Sequence, residues 1–165
     1  MARVKKRKPK STVIERRERT GRPAPEVFRF FDSPANVKRA TPESIAVTLE
    51  RHPVDLRPGS IFAYRLQRWP LDLSWEVVVS EYRPPEGFTN VKSTGYFTKW
   101  TLAHEIIPAG GEPSEAELCL RLEYEVPSGI YANLSNNYVI RQAMEELVDA
   151  QLHGILRELH RKPEA

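Results

Sequence analysis

The sequence predicts an α+β domain in which a curved antiparallel sheet of about seven strands wraps round one long C-terminal helix. Three observations carry that expectation. The middle of the chain alternates apolar and polar residues with period two, as half-buried strands do. The last stretch switches to helical spacing. Near the start, two proline-marked segments read as short helices between the first strand and the rest.

A chain of 165 residues is the size of one ordinary domain, and 40% hydrophobic with 28% charged side chains is a globular composition. No apolar run approaches the ~20 residues of a membrane span, and the first ten residues hold no secretory h-region, so a cytoplasmic location is expected. Cys119 is the only cysteine, which excludes an internal disulfide and a cysteine-based metal cluster. The net charge of +3 divides unevenly. Arg3, Lys5, Lys6, Arg7, Lys8 and Lys10 place six cations in the first ten residues, leaving 19 of the 25 basic side chains against 22 acidic ones. Residues 1–11 therefore read as a disordered basic arm, and 12–162 as a mildly acidic domain. The arm suits contact with a polyanion, RNA or an anionic membrane, or serves only as a solvated tail.

Val13 to Thr20 reads as the first strand, with mixed charges. Pro25 suits the first helical position of one short helix whose apolar face is Val27, Phe28, Phe30 and Phe31. Ser33-Pro34 repeats the start signal for a second short helix ending near Ala40. Ile45, Val47 and Leu49 then alternate with polar partners, as do Phe62, Tyr64 and Leu66 after the turn Leu56 to Ser60. The next stripe is Leu71, Leu73, Trp75, Val77 and Val79, with Glu81 on the same register but at the strand end, where it is expected to be exposed. A strand from Phe88 to Thr94 follows the turn Arg83 to Gly87. Trp100, Leu102, His104 and Ile106 share one face of the next strand. Leu118, Leu120, Leu122, Tyr124 and Val126 share a face of the last one, with Cys119 among charged residues on the other. One wet and one dry face mean an antiparallel sheet, and short turns mean a meander. From about Asn137 to Arg161, Ile140, Met144, Leu147, Val148, Leu152, Ile155, Leu156 and Leu159 recur at helical spacing, capped by Ser135 or Asn137. Some 25 helical residues reach about 37 Å, enough to cover the dry face.

This order of elements, with Leu56-Arg57-Pro58-Gly59-Ser60, Ser74-Trp75, Tyr82-Arg83-Pro84-Pro85-Glu86-Gly87-Phe88, Gly95-Tyr96-Phe97, Trp100, His104 and Tyr124-Glu125-Val126-Pro127-Ser128-Gly129, resembles the START/SRPBCC superfamily from about residue 12 to 162. The local segments are most similar to its bacterial polyketide cyclase/dehydrase-like and coenzyme-Q-binding-like branch. The resemblance implies a helix-grip fold and a cavity between sheet and helix for an apolar molecule: a quinone, a lipid or a polyketide-like aromatic. It departs at Leu102 and Leu120, where relatives often carry a second histidine and an acid, which makes the interior greasier and weakens a catalytic reading.

Such a cavity would be lined by Phe62, Tyr64, Trp75, Val77, Trp100, Leu102, His104, Leu120, Leu122 and Tyr124 from the sheet and by Met144, Val148 and Leu152 from the helix. Apolar walls with a few polar groups suit a small molecule, with Tyr64, Tyr124 and His104 available to an oxygen. Ordinary core packing is the plain alternative for each of them. His104 is the one candidate for proton transfer, and no acid or nucleophile is paired with it by spacing. The remaining histidines, His52, His153 and His160, show no ligand spacing, so neither a metal nor a cofactor is implied. Three functions follow in order: a binder or carrier of an apolar ligand, a cyclase/dehydratase using His104 and a tyrosine, and an interaction protein acting through the basic arm.

Overall fold

A computed structural model describes residues 11–43, 45–109, 115–128 and 134–161. The expected order is present. It runs β1 (Thr12–Arg19), α1 (Ala24–Asp32), α2 (Pro34–Ala40), β2 (Val47–Arg51), β3 (Ile61–Arg68), β4 (Leu71–Arg83), β5 (Gly87–Gly95), β6 (Lys99–Pro108), β7 (Ala116–Glu125) and α3 (Leu134–Leu159). All pairings are antiparallel, in the spatial order β1-β7-β6-β5-β4-β3-β2. The meander therefore runs from β2 to β7, and β1 closes it beyond β7.

The alternation sets the inner face as read from the sequence. Phe62, Tyr64 and Leu66 pair with Val77, Trp75 and Leu73 across β3–β4; Trp100, Leu102 and His104 pair with Tyr124, Leu122 and Leu120 across β6–β7. The α3 stripe of Ile140, Met144, Leu147, Val148, Leu152 and Ile155 is buried against this face, with Leu156 and Leu159 partly covered at its end. β1 keeps its charges by using them. Arg16 lies on the inner register but at the sheet edge, where its Nε reaches Asp149 of α3 at 2.8 Å.

Four sequence expectations shift. Helix α1 begins at Ala24 with Pro23 as its cap, so Pro25 occupies the second helical position, where a missing N–H is equally harmless. Helix α3 begins at Leu134, so Ser135 and Asn137 lie within it. Glu81 is exposed as expected, but through a change of register: a bulge between Val79 and Glu81 inverts the alternation and turns Tyr82 inward onto Phe28 instead. Cys119 is on the outer register yet only 1% exposed, because its neighbours across the two ladders are Arg17 and Glu105, whose long side chains close over it. Residues 1–10, Gly110-Gly111, Pro113, Gly129 and Pro163 lie outside the described residues.

Strand directions gather the connections at two ends of the sheet. At one end α1 and α2 sit under the C-terminal half of α3, and contact is so close that a Cβ on Gly154 would overlap the Ala40 carbonyl oxygen. At the other end lie the start of β1, the β3–β4 and β5–β6 hairpin tips and the chain leaving β7 toward α3. Gly95 turns that second tip at φ +110°, where a Cβ would meet the Trp75 Cα at 2.5 Å.

Candidate functional site

The predicted lining residues converge on one interior, all of them buried. A line of aromatic rings runs through it. Tyr124 meets Phe97 edge-on at 5.7 Å, and Phe97 meets Trp75 edge-on at 4.9 Å. Trp75 stacks on Tyr64 at 5.5 Å, and Trp100 leans on both at 5.7 and 5.4 Å. The Trp100 indole N–H donates to the Met144 sulfur of α3 at 3.4 Å, a soft acceptor suited to an apolar wall. Phe97 comes from the β5–β6 tip and is fully buried despite sitting in a connection. It plugs the line of rings from below.

A hollow of about 580 Å³ opens at that same end, between the start of β1, the end of β7 and the first turns of α3. Thr12, Val13, Tyr124, Val126, Tyr138 and Arg141 are among its walls. Of the predicted lining residues, Tyr124 alone is among its described walls; the others, Trp100 and His104 included, are packed in the core instead. Two aromatic side chains are exposed at this end: Trp69 on the β3–β4 tip, 93% exposed, and Tyr138 on α3, 63% exposed.

His104 belongs to the opposite end. Its ring stacks on Phe88 at 4.2 Å and receives the edge of Phe31 from α1 at 5.4 Å. Burial pushes its pKa down to about 3, against a smaller opposing pull from the Phe88 backbone, so the ring is neutral at physiological pH. Its Nδ1 has no hydrogen-bond partner among the described residues. The nearest inner-face polar neighbour is Asn90, which pairs with Leu102 one step along β6 and whose Oδ1 is also unpaired.

Sequence reasoning passed over Gln151. It lies between Val148 and Leu152 on the buried stripe of α3, is 0% exposed, and neither amide atom makes a hydrogen bond among the described residues. Its amide faces the Tyr64 hydroxyl without closing a well-formed bond to it. Burial pushes that hydroxyl's pKa up to about 12, against a smaller opposing pull from the amide. The Trp75 indole N–H, stacked beside Tyr64, is unpaired as well. An unmade buried hydrogen bond costs about 1–3 kcal/mol per group, so this cluster is expensive for the empty fold. The signal was in the sequence: 151 is four residues past Leu147, so a polar side chain occupies a stripe position.

Electrostatics on the outer face are structural. Arg17, Glu15, Arg121, Glu123 and Lys99 form a ladder of ion pairs at 2.8–3.6 Å over β1, β7 and β6. Burial and the Glu15 carboxylate push the Cys119 thiol up beneath it, so the thiol is not activated. Among the described residues no cluster of His, Cys, Asp and Glu has the makings of a metal site, and no helix is long and apolar enough to cross a membrane.

No protein-family model matches the chain, and no curated protein matches it. Solved structures do. A protein of Thermus thermophilus superposes with a TM-score of 0.68 at 15% identity, covering 90% of this chain and 97% of its own. An aromatase/cyclase from Streptomyces sp. R1128 gives 0.67 at 11% identity, covering 92% and 95%. Norcoclaurine synthase from Thalictrum flavum, solved with dopamine and hydroxybenzaldehyde, gives 0.67 at 12%, covering 94% and 91%. With the seven-stranded curl, the paired short helices and α3 laid across the inner face, these likenesses establish that the chain has the helix-grip fold.

Proposed function

We propose that this chain binds a neutral, largely apolar small molecule between the sheet and α3, admitted at the end where the β3–β4 and β5–β6 tips meet the start of α3. The observation that carries the reading is the hollow of about 580 Å³ that reaches the line of rings at Tyr124. Its size falls within the ~300–1,000 Å³ usual for small-molecule sites. Aromatic walls behind it favour a flat ring system, a quinone or polyketide-like aromatic over a flexible lipid. The solved complex of norcoclaurine synthase holds aromatic compounds in the same fold, which supports the choice of ligand class.

Carriage is preferred to cyclase or dehydratase chemistry. A proton-transfer catalyst works best with a pKa near the operating pH. His104 is held near 3, is enclosed by Phe88 and Phe31, and among the described residues has no buried carboxylate beside it.

The test uses N-phenyl-1-naphthylamine, a neutral fluorescent aromatic. Saturable binding to one site is expected, abolished by Val126→Trp, which fills the hollow from a half-buried wall position. Binding that is absent in the parent protein, or equal in the filled variant, overturns the reading.

A second reading has its own observation. Trp69 and Tyr138 are exposed at the end where Ser11 leads into β1, directly after the six cations of residues 1–10. Interfacial aromatics beside a basic segment suit an anionic lipid surface. We propose that this end faces such a surface, so that an apolar ligand passes between membrane and hollow without crossing water.

A further inference from the structure

Among the described residues the interior carries five buried side-chain polar atoms without a partner, and three of them belong to two residues beside Tyr64. These three are Nε2 and Oε1 of Gln151, whose amide faces the Tyr64 hydroxyl, and Nε1 of Trp75, whose ring stacks on that of Tyr64; all are buried. A Leu or Met at position 151 would serve the α3 stripe as Leu147, Val148 and Leu152 do. Retaining an amide there, with both its donor and its acceptor unused, leaves the empty fold less stable than an apolar side chain would. The group is matched to something that brings its own polar atoms.

We propose that Gln151, Trp75 and Tyr64 form an inner polar subsite that selects ligands carrying an oxygen function on an apolar ring, a phenol or a ring-conjugated carbonyl. This rests on the binding reading above and names the chemistry it selects. The atoms set the complement. The indole N–H and the amide N–H donate to a ligand oxygen, and the amide oxygen accepts from a ligand hydroxyl. The subsite is uncharged: among the described residues no Asp, Glu, Lys or Arg is buried in the core, and Tyr64 remains protonated well above neutral pH. A charged ligand would arrive there with no counter-ion, so the selected form is neutral. Discrimination of this kind is strong because a ligand lacking the oxygen leaves the polar atoms buried and unpaired.

The experiment compares 2-naphthol with naphthalene, each displacing N-phenyl-1-naphthylamine from the full chain and from Gln151→Met, which keeps side-chain length and removes both polar atoms. The parent protein is expected to prefer 2-naphthol about tenfold, one well-made hydrogen-bond set. Gln151→Met is expected to lose that preference and to melt at a higher temperature than the parent. Opposite signs for stability and selectivity separate a recognition group from a structural one. A variant that keeps the preference, or that is less stable than the parent, overturns the subsite. Should Gln151→Met not fold, Trp75→Phe deletes the other donor and reads the same preference. If naphthalene and 2-naphthol bind equally to the parent, or neither displaces the probe, the subsite fails while the binding reading stands; if the probe itself does not bind the parent, both fail.

Discussion

The two ends of the barrel are built from similar residues and do opposite things. At the α1–α2 end Phe31, Phe88 and His104 pack ring to ring, and Gly154 lets α3 lie on the Ala40 carbonyl with no room for a methyl group. At the hairpin end Tyr124, Phe97 and Trp75 also pack ring to ring, but they back onto a hollow, and Trp69 and Tyr138 project beyond it. The difference lies in what covers the sheet. Two extra helices cover one end; at the other, strand ends and hairpin tips meet the first turns of α3. An aromatic side chain is therefore a core residue or a candidate ligand contact according to the end at which its strand places it.

His104 gives the largest effect that tests the sealed end. Its folded-state pKa is about 3 and its unfolded value near 6.5, so the folded state resists protonation. The stability linked to the neutral ring is fully present above pH 6.5 and is lost as pH falls toward 3. The loss is on the order of 5 kcal/mol across that window. His104→Leu is expected to remove this component of the acid slope, with the remaining carboxylate-driven slope common to both proteins. Denaturant midpoints between pH 7 and 4 measure it. Parallel slopes would mean that the ring is reached by water and that this end is not sealed.

Gly154→Ala is next in size. Alanine is better than glycine in a helix interior by about 1 kcal/mol, so propensity predicts a gain. The collision with Ala40 predicts a loss of about 1–3 kcal/mol for forcing α3 off α2. We expect a net loss of about 1 kcal/mol, seen as a lower urea midpoint with an unchanged slope. A gain would show that α2 yields easily and that the two ends differ less than their geometry implies.

These two residues also mark how much was legible beforehand. Period-two and 3.6-residue patterns are collective, repeated over many positions, and among the described residues they located most strands and α3, while proline and turn signals located α1, α2 and β5. The interior lining emerged for the same reason, since Trp75, Trp100 and Tyr124 sit on unambiguous dry registers. Single-residue events escaped. The bulge beside Glu81 reverses a face through one inserted residue, and the burial of Cys119 depends on Arg17 and Glu105 from other strands. Phe97 lies in a turn, outside any periodic run, yet plugs the core. Gln151 reads as one polar interruption in a stripe, and only its lack of partners in three dimensions gives it meaning. Which end His104 occupies is equally a matter of strand direction rather than spacing.

The smallest effects on stability are expected at the open end, and they sharpen the contrast most. Trp69 is 93% exposed on a hairpin tip, so Trp69→Ser is expected to shift unfolding free energy by no more than about 0.5 kcal/mol. Removal of residues 1–10 is expected to leave it unchanged, because β1 begins only at Thr12 and residues 1–10 have no apolar periodicity with which to dock on the sheet. Function should move where stability does not. On liposomes containing phosphatidylserine, Trp69→Ser is expected to weaken retention about tenfold by losing an interfacial anchor. The truncated chain is expected to lose about a hundredfold or more, since each cation near an anionic surface contributes about 1 kcal/mol. Retention should also fall steeply with salt in the full chain and only weakly in the truncated one. Retention on RNA but not on liposomes would assign the arm to nucleic acid and leave Trp69 without a role. Equal behaviour of all three proteins would make the arm a solvated tail, and the open end a mouth for the ligand alone.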